Sequence, residues 1–152
     1  NPDYDVSGMR LSRKRNYEID YFSFEGEKSE IIPVSGLYKE IDAKVKEQFP
    51  GKIYGVVDFD DDENTFLVIL QSDKLYGTYY EYDVKTKEFT LLYDLMPQLK
   101  EEDMAEMRPI TFQSRDGLTI HWYITLPKAA LEGEKVPMVG NPHGGTQGIR
   151  NS

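Results

Sequence analysis

Apolar and polar residues alternate along most of this chain, with one interruption of longer period. Tyr17, Ile19 and Tyr21 alternate with polar neighbours up to Phe24, Glu25-Gly26-Glu27 supplies a turn, and Glu30 to Val34 follows, which predicts a hairpin. Gly26 is the residue expected at positive φ there, since it has no Cβ to clash. Ser35 can then cap a short helix over 36–49, whose apolar positions Leu37, Ile41 and Val45 fall four apart. Phe49-Pro50-Gly51 ends it, because the residue before a proline avoids the helical region. A lone amphipathic helix of this length is rarely stable, so its stripe is expected against the sheet rather than on a partner.

Four strand-like segments come next: Ile53 to Phe59, Thr65 to Gln71, Gly77 to Val84 and Glu88 to Tyr93, separated by turns rich in Asp, Asn, Gly or Lys. Four short antiparallel strands are the content of one propeller blade. A blade buries its faces against its neighbours, so an isolated one should expose apolar surface or find a substitute partner. From Leu95 to Arg108 the alternation breaks into Pro97 and the charged run Lys100-Glu101-Glu102-Asp103, which reads as a linker and domain boundary. Beyond it, Pro109 to Ser114 and Leu118 to Leu126 flank Arg115-Asp116-Gly117, where Asp-Gly signals a hairpin turn. Pro127 to Lys135 reads as a loop, and Val136 to Asn141 as a short buried strand leading into His143-Gly144-Gly145.

Composition supports this picture. In 152 residues there are eleven Tyr and seven Phe against one Trp, and flat aromatic side chains suit a pleated, half-buried surface. The formal charge of -9 argues against nucleic acid as a partner, since phosphate binding needs clustered cations. The basic cluster Arg10, Arg13, Lys14 and Arg15 reads as a solvated strand edge, where charge also blocks unwanted pairing. Without cysteine, neither a disulfide scaffold nor a thiolate metal site is possible. The longest apolar run, Phe66 to Leu70, is far short of a membrane helix, so the expectation is a soluble chain, with cytoplasm and periplasm both open.

Several motifs invite chemistry and fail on detail. Asp58, Asp60 and Asp62 alternate like calcium ligands, but Glu63 stands where such a loop needs Gly, so a solubilised turn is the better reading. Gly140 and Gly145 are spaced as in a phosphate loop, yet Thr146 stands where Lys is required, and no GxGxxG occurs. The imidazoles are His121 and His143, none of the eight serines lies in a GxSxG elbow, and only Ser152 follows His143, the reverse of the hydrolase order. His121, between Ile120 and Trp122, reads as a surface or interface residue. Asn141-Pro142-His143-Gly144-Gly145 remains: a glycine pair after a strand can aim an unshielded N–H at an oxyanion, or can be an ordinary turn.

Read in order, Pro109-Ile110-Thr111-Phe112-Gln113-Ser114-Arg115-Asp116-Gly117-Leu118, Tyr123 to Pro127, Val136-Pro137 and Asn141 to Gly145 resemble the prolyl oligopeptidase family of serine peptidases. The series is most similar to its acylaminoacyl-peptidase and dipeptidyl aminopeptidase branch, where a Ser-Arg-Asp-Gly hairpin opens the hydrolase domain and a His-Gly-Gly-Pro loop follows. Asp5-Val6-Ser7-Gly8, the helix and the strands through Tyr93 look like the closing propeller blades. The resemblance implies a mainly β fold with one or two short helices. It places terminal propeller blades over 1–94, a linker over 95–108 and the first strands of an α/β-hydrolase domain over 109–152.

It further implies that the Gly145 N–H is one oxyanion donor, with Gly144 giving clearance and His143 and Asn141 shaping the loop. The second donor and the whole Ser, Asp and His triad would then lie past Ser152, leaving these residues inert alone. Thr146 departs from the family's usual Pro, Gly140 from a β-branched residue and Trp122 from a small one. No cofactor or metal is implied. The implied partner is a peptide substrate of the intact parent, and cut blade faces should promote self-association. The alternative is a stand-alone β-rich module that binds another protein chain through its edges.

Overall fold

The computed structural model describes residues 4–142. Strands β1 (Val6–Leu11), β2 (Ile19–Glu25) and β3 (Ser29–Pro33) form an antiparallel sheet in that order. Helix α1 (Gly36–Gln48) leads into a four-stranded antiparallel meander of β4 (Ile53–Phe59), β5 (Thr65–Ser72), β6 (Leu75–Asp83) and β7 (Glu88–Asp94). A 3-10 turn, Glu101–Asp103, precedes a separate hairpin, β8 (Met107–Gln113) with β9 (Thr119–Thr125), and the single-turn helix α2 (Lys128–Leu131) follows.

The core follows from two periodicities meeting. On β5, alternate residues Phe66, Val68 and Leu70 are buried, because a strand turns every second side chain to one face. On α1, Tyr38, Ile41 and Val45 are buried at spacings of three and four, and Leu37 packs at the margin. Tyr82 of β6 closes the cluster. Rings meet edge-to-face where the two layers touch, with Tyr38 and Phe66 centroids 6.0 Å apart and Phe49 and Phe89 5.4 Å apart. The Ser35 hydroxyl accepts from the Tyr38 N–H at 3.2 Å and so caps the helix as its position promised.

Three expectations need correction. Gly26 is not at positive φ; its bare Cα lets the Tyr4 ring approach, 3.2 Å from where a Cβ would stand. The left-handed residues near this hairpin are instead Asn16 and Tyr17, at φ 51° and 60°, in the turn before β2. Val136 to Asn141 forms neither a strand nor a buried segment, with Met138 and Val139 both 90% exposed. The reason is physical: among the described residues no strand lies beside it, and a strand without a ladder leaves its backbone groups to water. The segment read as a linker over 95–108 also gives up its last two residues to β8, because Pro109 sits within an edge strand that does not need its N–H.

Apolar side chains stay exposed among the described residues: Leu91, Leu92 and Tyr93 on β7, Val57 on β4, and Ile110, Phe112 and Trp122 on the hairpin.

Phe66→Ala should cost about 3–5 kcal/mol in urea unfolding, since it empties the contact between α1 and the meander. Val57→Ala, on the exposed face, should stay within about 0.5 kcal/mol. Burial also holds the phenols of Tyr38 and Tyr54 well above the usual tyrosine range, and it raises Tyr82 too, whose hydroxyl donates to Glu40. The folded chain therefore keeps protons that the unfolded chain releases from about pH 10 upward. Stability from these phenols should be intact below that pH and fall above it. In absorbance titration near 295 nm, part of the tyrosine signal should appear only together with loss of the far-UV circular dichroism.

Candidate functional site

The glycine loop implied by sequence is reached only in part. Asn141 and Pro142 lie in exposed irregular chain, and His143, Gly144, Gly145 and Thr146 lie outside the described residues. The hairpin before it is well defined. Gly117, at φ 85°, makes the turn, its N–H donating to the Ser114 carbonyl at 3.0 Å, while the Ser114 N–H donates to the Leu118 carbonyl at 2.9 Å. The Ser114 hydroxyl donates to the Asp116 carboxylate, which holds that carboxyl below its usual range. The Ser-Arg-Asp-Gly stretch thus works as a turn. His121 is exposed on β9 beside Trp122, as its sequence position suggested.

The titratable cluster that the structure does assemble lies elsewhere. The Arg10 guanidinium donates to Asp20 at 2.6 Å and reaches Glu63 at 3.5 Å, while Arg15 donates to both Asp20 and Glu63, the latter at 2.7 Å. Ser12 donates its hydroxyl to Glu63 and accepts from the Arg15 N–H at 2.9 Å. Ser35 donates to Asp20 at 2.7 Å. Asp20 is fully buried and the Glu63 side chain 3% exposed. This overturns the reading of the basic cluster as a solvated edge. Arg13 and Lys14 are exposed, but Arg10 and Arg15 are held inward, because two buried carboxylates would be prohibitive without two cations.

Sequence reasoning missed this cluster because Glu63 lies about fifty positions away from Arg10 and Arg15. One signal was present: Arg10 and Asp20 occupy two segments short enough to pair as neighbouring strands. Arg10 also sits over Phe59, its guanidinium carbon 4.0 Å from the ring centroid, so the charge caps the apolar core. Glu63 adopts φ 54°, a left-handed conformation that a β-carbon disfavours, and its buried ion pairs hold it there.

As chemistry, the cluster is closed. Two guanidinium groups face two carboxylates, so charge balances and the carboxylate oxygens already accept; nothing is poised as a base or nucleophile. The carboxylates at Asp58, Asp60 and Asp62 do not converge either. Asp60 accepts from the N–H groups of Asn64 and Thr65 at 2.7 and 2.9 Å, Asp58 from the Phe59 N–H, and Asp62 pairs with Lys14. Among the described residues, no group of three or more His, Cys, Asp or Glu is placed to hold a metal, and no helix is long and apolar enough to cross a membrane.

No family model matches the chain. It is 31% identical over 90 residues to dipeptidyl aminopeptidase BIII of Pseudoxanthomonas mexicana, a match covering 55% of this chain and 13% of that enzyme. A solved structure from a study of two prolyl endopeptidases, described as addressing inter-domain dynamics in catalysis and specificity, aligns over 84% of this chain and 18% of its own. That alignment has a TM-score of 0.48 and 15% identity. The chain thus spans a small part of the length of the peptidases it resembles.

Asp20→Ala should lower stability by about 3–5 kcal/mol in urea unfolding, because it leaves two guanidinium groups sharing the single carboxylate of Glu63. Lys14→Ala, at an exposed pair, should leave the urea unfolding midpoint essentially unchanged.

Proposed function

We propose that this chain is an internal part of a serine peptidase of the prolyl oligopeptidase family, within the acylaminoacyl-peptidase and dipeptidyl aminopeptidase branch. The parent hydrolyses peptides or acyl-peptides. The observation that carries this reading is the 31% identity over 90 residues to a dipeptidyl aminopeptidase. Residues 1–94 form the closing propeller strands, 95–108 the linker, and 109–152 the opening strands of the hydrolase domain. The four-stranded meander β4–β7 is consistent with one blade, and a sheet cut from its neighbours accounts for the exposure of Val57, Leu91, Leu92 and Tyr93.

Within that reading, the Gly145 N–H is aimed at the oxyanion of the tetrahedral intermediate. Gly144 keeps the approach clear, and His143 and Asn141 shape the loop. One donor stabilises charge but attacks nothing; the nucleophile, its base and the orienting acid are supplied from beyond Ser152. A stand-alone module that binds another protein is the second reading, and the exposed apolar faces favour it too.

Purified chain should not cleave chromogenic aminoacyl or acyl-aminoacyl substrates; turnover that survives removal of contaminating peptidases would overturn the assignment of inactivity. The gene's reading frame separates the two readings. Continuation past Ser152 into a GxSxG segment, followed by Asp and then His, is expected, whereas a natural stop codon would favour the interaction module.

A further inference from the structure

The strand β9 reads Thr119-Ile120-His121-Trp122-Tyr123-Ile124-Thr125, nearly the same in both directions about Trp122. It carries no Lys, Arg, Asp, Glu, Pro or Gly, and among the described residues it pairs with no strand but β8. Natural edge strands are normally protected by a charge, a proline or a bulge, and β9 has none of these along its register with β8. Two-stranded hairpins are also marginal alone, so this one needs further cover.

We propose that β9 is a self-pairing edge: two copies of this chain join β9 to β9 antiparallel about a two-fold axis at Trp122, giving a four-stranded sheet in the order β8-β9-β9-β8. An isologous contact requires that a surface complement itself. Here the axis sets Thr119 against Thr125 of the other copy, Ile120 against Ile124, and Trp122 against Trp122, all favourable cross-strand pairs. The edges of β7 and β8 fail the same test. Self-pairing of β7 sets Glu88 against Asp94, and β8 carries Arg108 and Pro109.

The faces agree with the edge. Ile110 opposes Trp122 and Phe112 opposes Ile120, with the Phe112 and Trp122 rings 6.1 Å apart, so one side of the hairpin is apolar and exposed. The opposite side carries Thr111, His121 and Tyr123, and the Tyr123 hydroxyl donates to the Glu27 carbonyl at 2.7 Å, anchoring it to the β2–β3 turn. Joining two hairpins merges two small apolar faces into one of twice the width. Ile110, Phe112 and Trp122 are each more than a third exposed, so such a contact has apolar surface to cover. The inference rests on strand sequence and pairing in this chain, and it takes nothing from the peptidase reading.

The test uses the full 152-residue chain in light scattering across a concentration series. The mass should rise from 17.6 kDa toward twice that value. Trp122→Glu and Trp122→Lys should each stay monomeric with unchanged far-UV circular dichroism, and mixing the two should restore the dimer. A wild-type monomer at every concentration, dimers that ignore both substitutions, or a mixture that stays monomeric would each overturn the proposal. Because the chain has no cysteine, Trp122→Cys provides a second measurement. It should form a disulfide-linked dimer on mild oxidation faster than Thr90→Cys on β7, and equal rates for the two would also overturn it.

Discussion

The carboxylate of Asp20 is the joint on which the N-terminal half depends. Its backbone carbonyl accepts from the N–H groups of Val34 and Ser35 at 2.8 and 3.2 Å, and its side chain accepts from Arg10, Arg15 and Ser35. One residue therefore ties β1, the turn after it, β2, the end of β3 and the cap of α1. The helix begins where it does because Ser35 both caps it and bonds to Asp20. From that start, Tyr38, Ile41 and Val45 fall on the meander. A buried charge with several partners is a poor source of net stability but a strong source of geometric definition, since any other arrangement strands it.

That division of labour explains which parts were legible in the sequence. The meander was read within one or two residues at each end, because alternation and turn chemistry are local signals that need no knowledge of tertiary contacts. The helix and its cap were read for the same reason. The Arg10, Arg15, Asp20 and Glu63 cluster was not, because it joins residues about fifty positions apart and its members look like surface charges wherever they stand. Local chemistry also misled at Gly26: a glycine in a turn suggests positive φ, whereas here the missing Cβ makes room for Tyr4.

The segment Val136 to Asn141 failed for a different reason. Its sequence has the apolar run of a central strand, but a central strand exists only through its neighbours. Among the described residues it has none, and it is extended into solvent with Met138 and Val139 uncovered. The same dependence runs through Leu91, Leu92 and Tyr93 of β7 and Ile110, Phe112 and Trp122 of the β8–β9 hairpin, which stay exposed among the described residues. Sequence carries the instruction for such a face, and only the partner carries the reason.

Cover from outside and cover from a second copy make different demands on these surfaces. A neighbouring sheet in a longer chain is held at high effective concentration by the backbone, so its contact needs no symmetry and little affinity of its own. A two-fold contact must be self-complementary, and it must succeed against dilution. The edge of β7, with acids at both ends, meets only the first demand. The uncharged, near-palindromic β9 meets both, so exposure alone does not assign an occupant to an apolar edge. The placement of charge along it does, and in this chain charge separates one edge that requires a different partner from another that accepts itself.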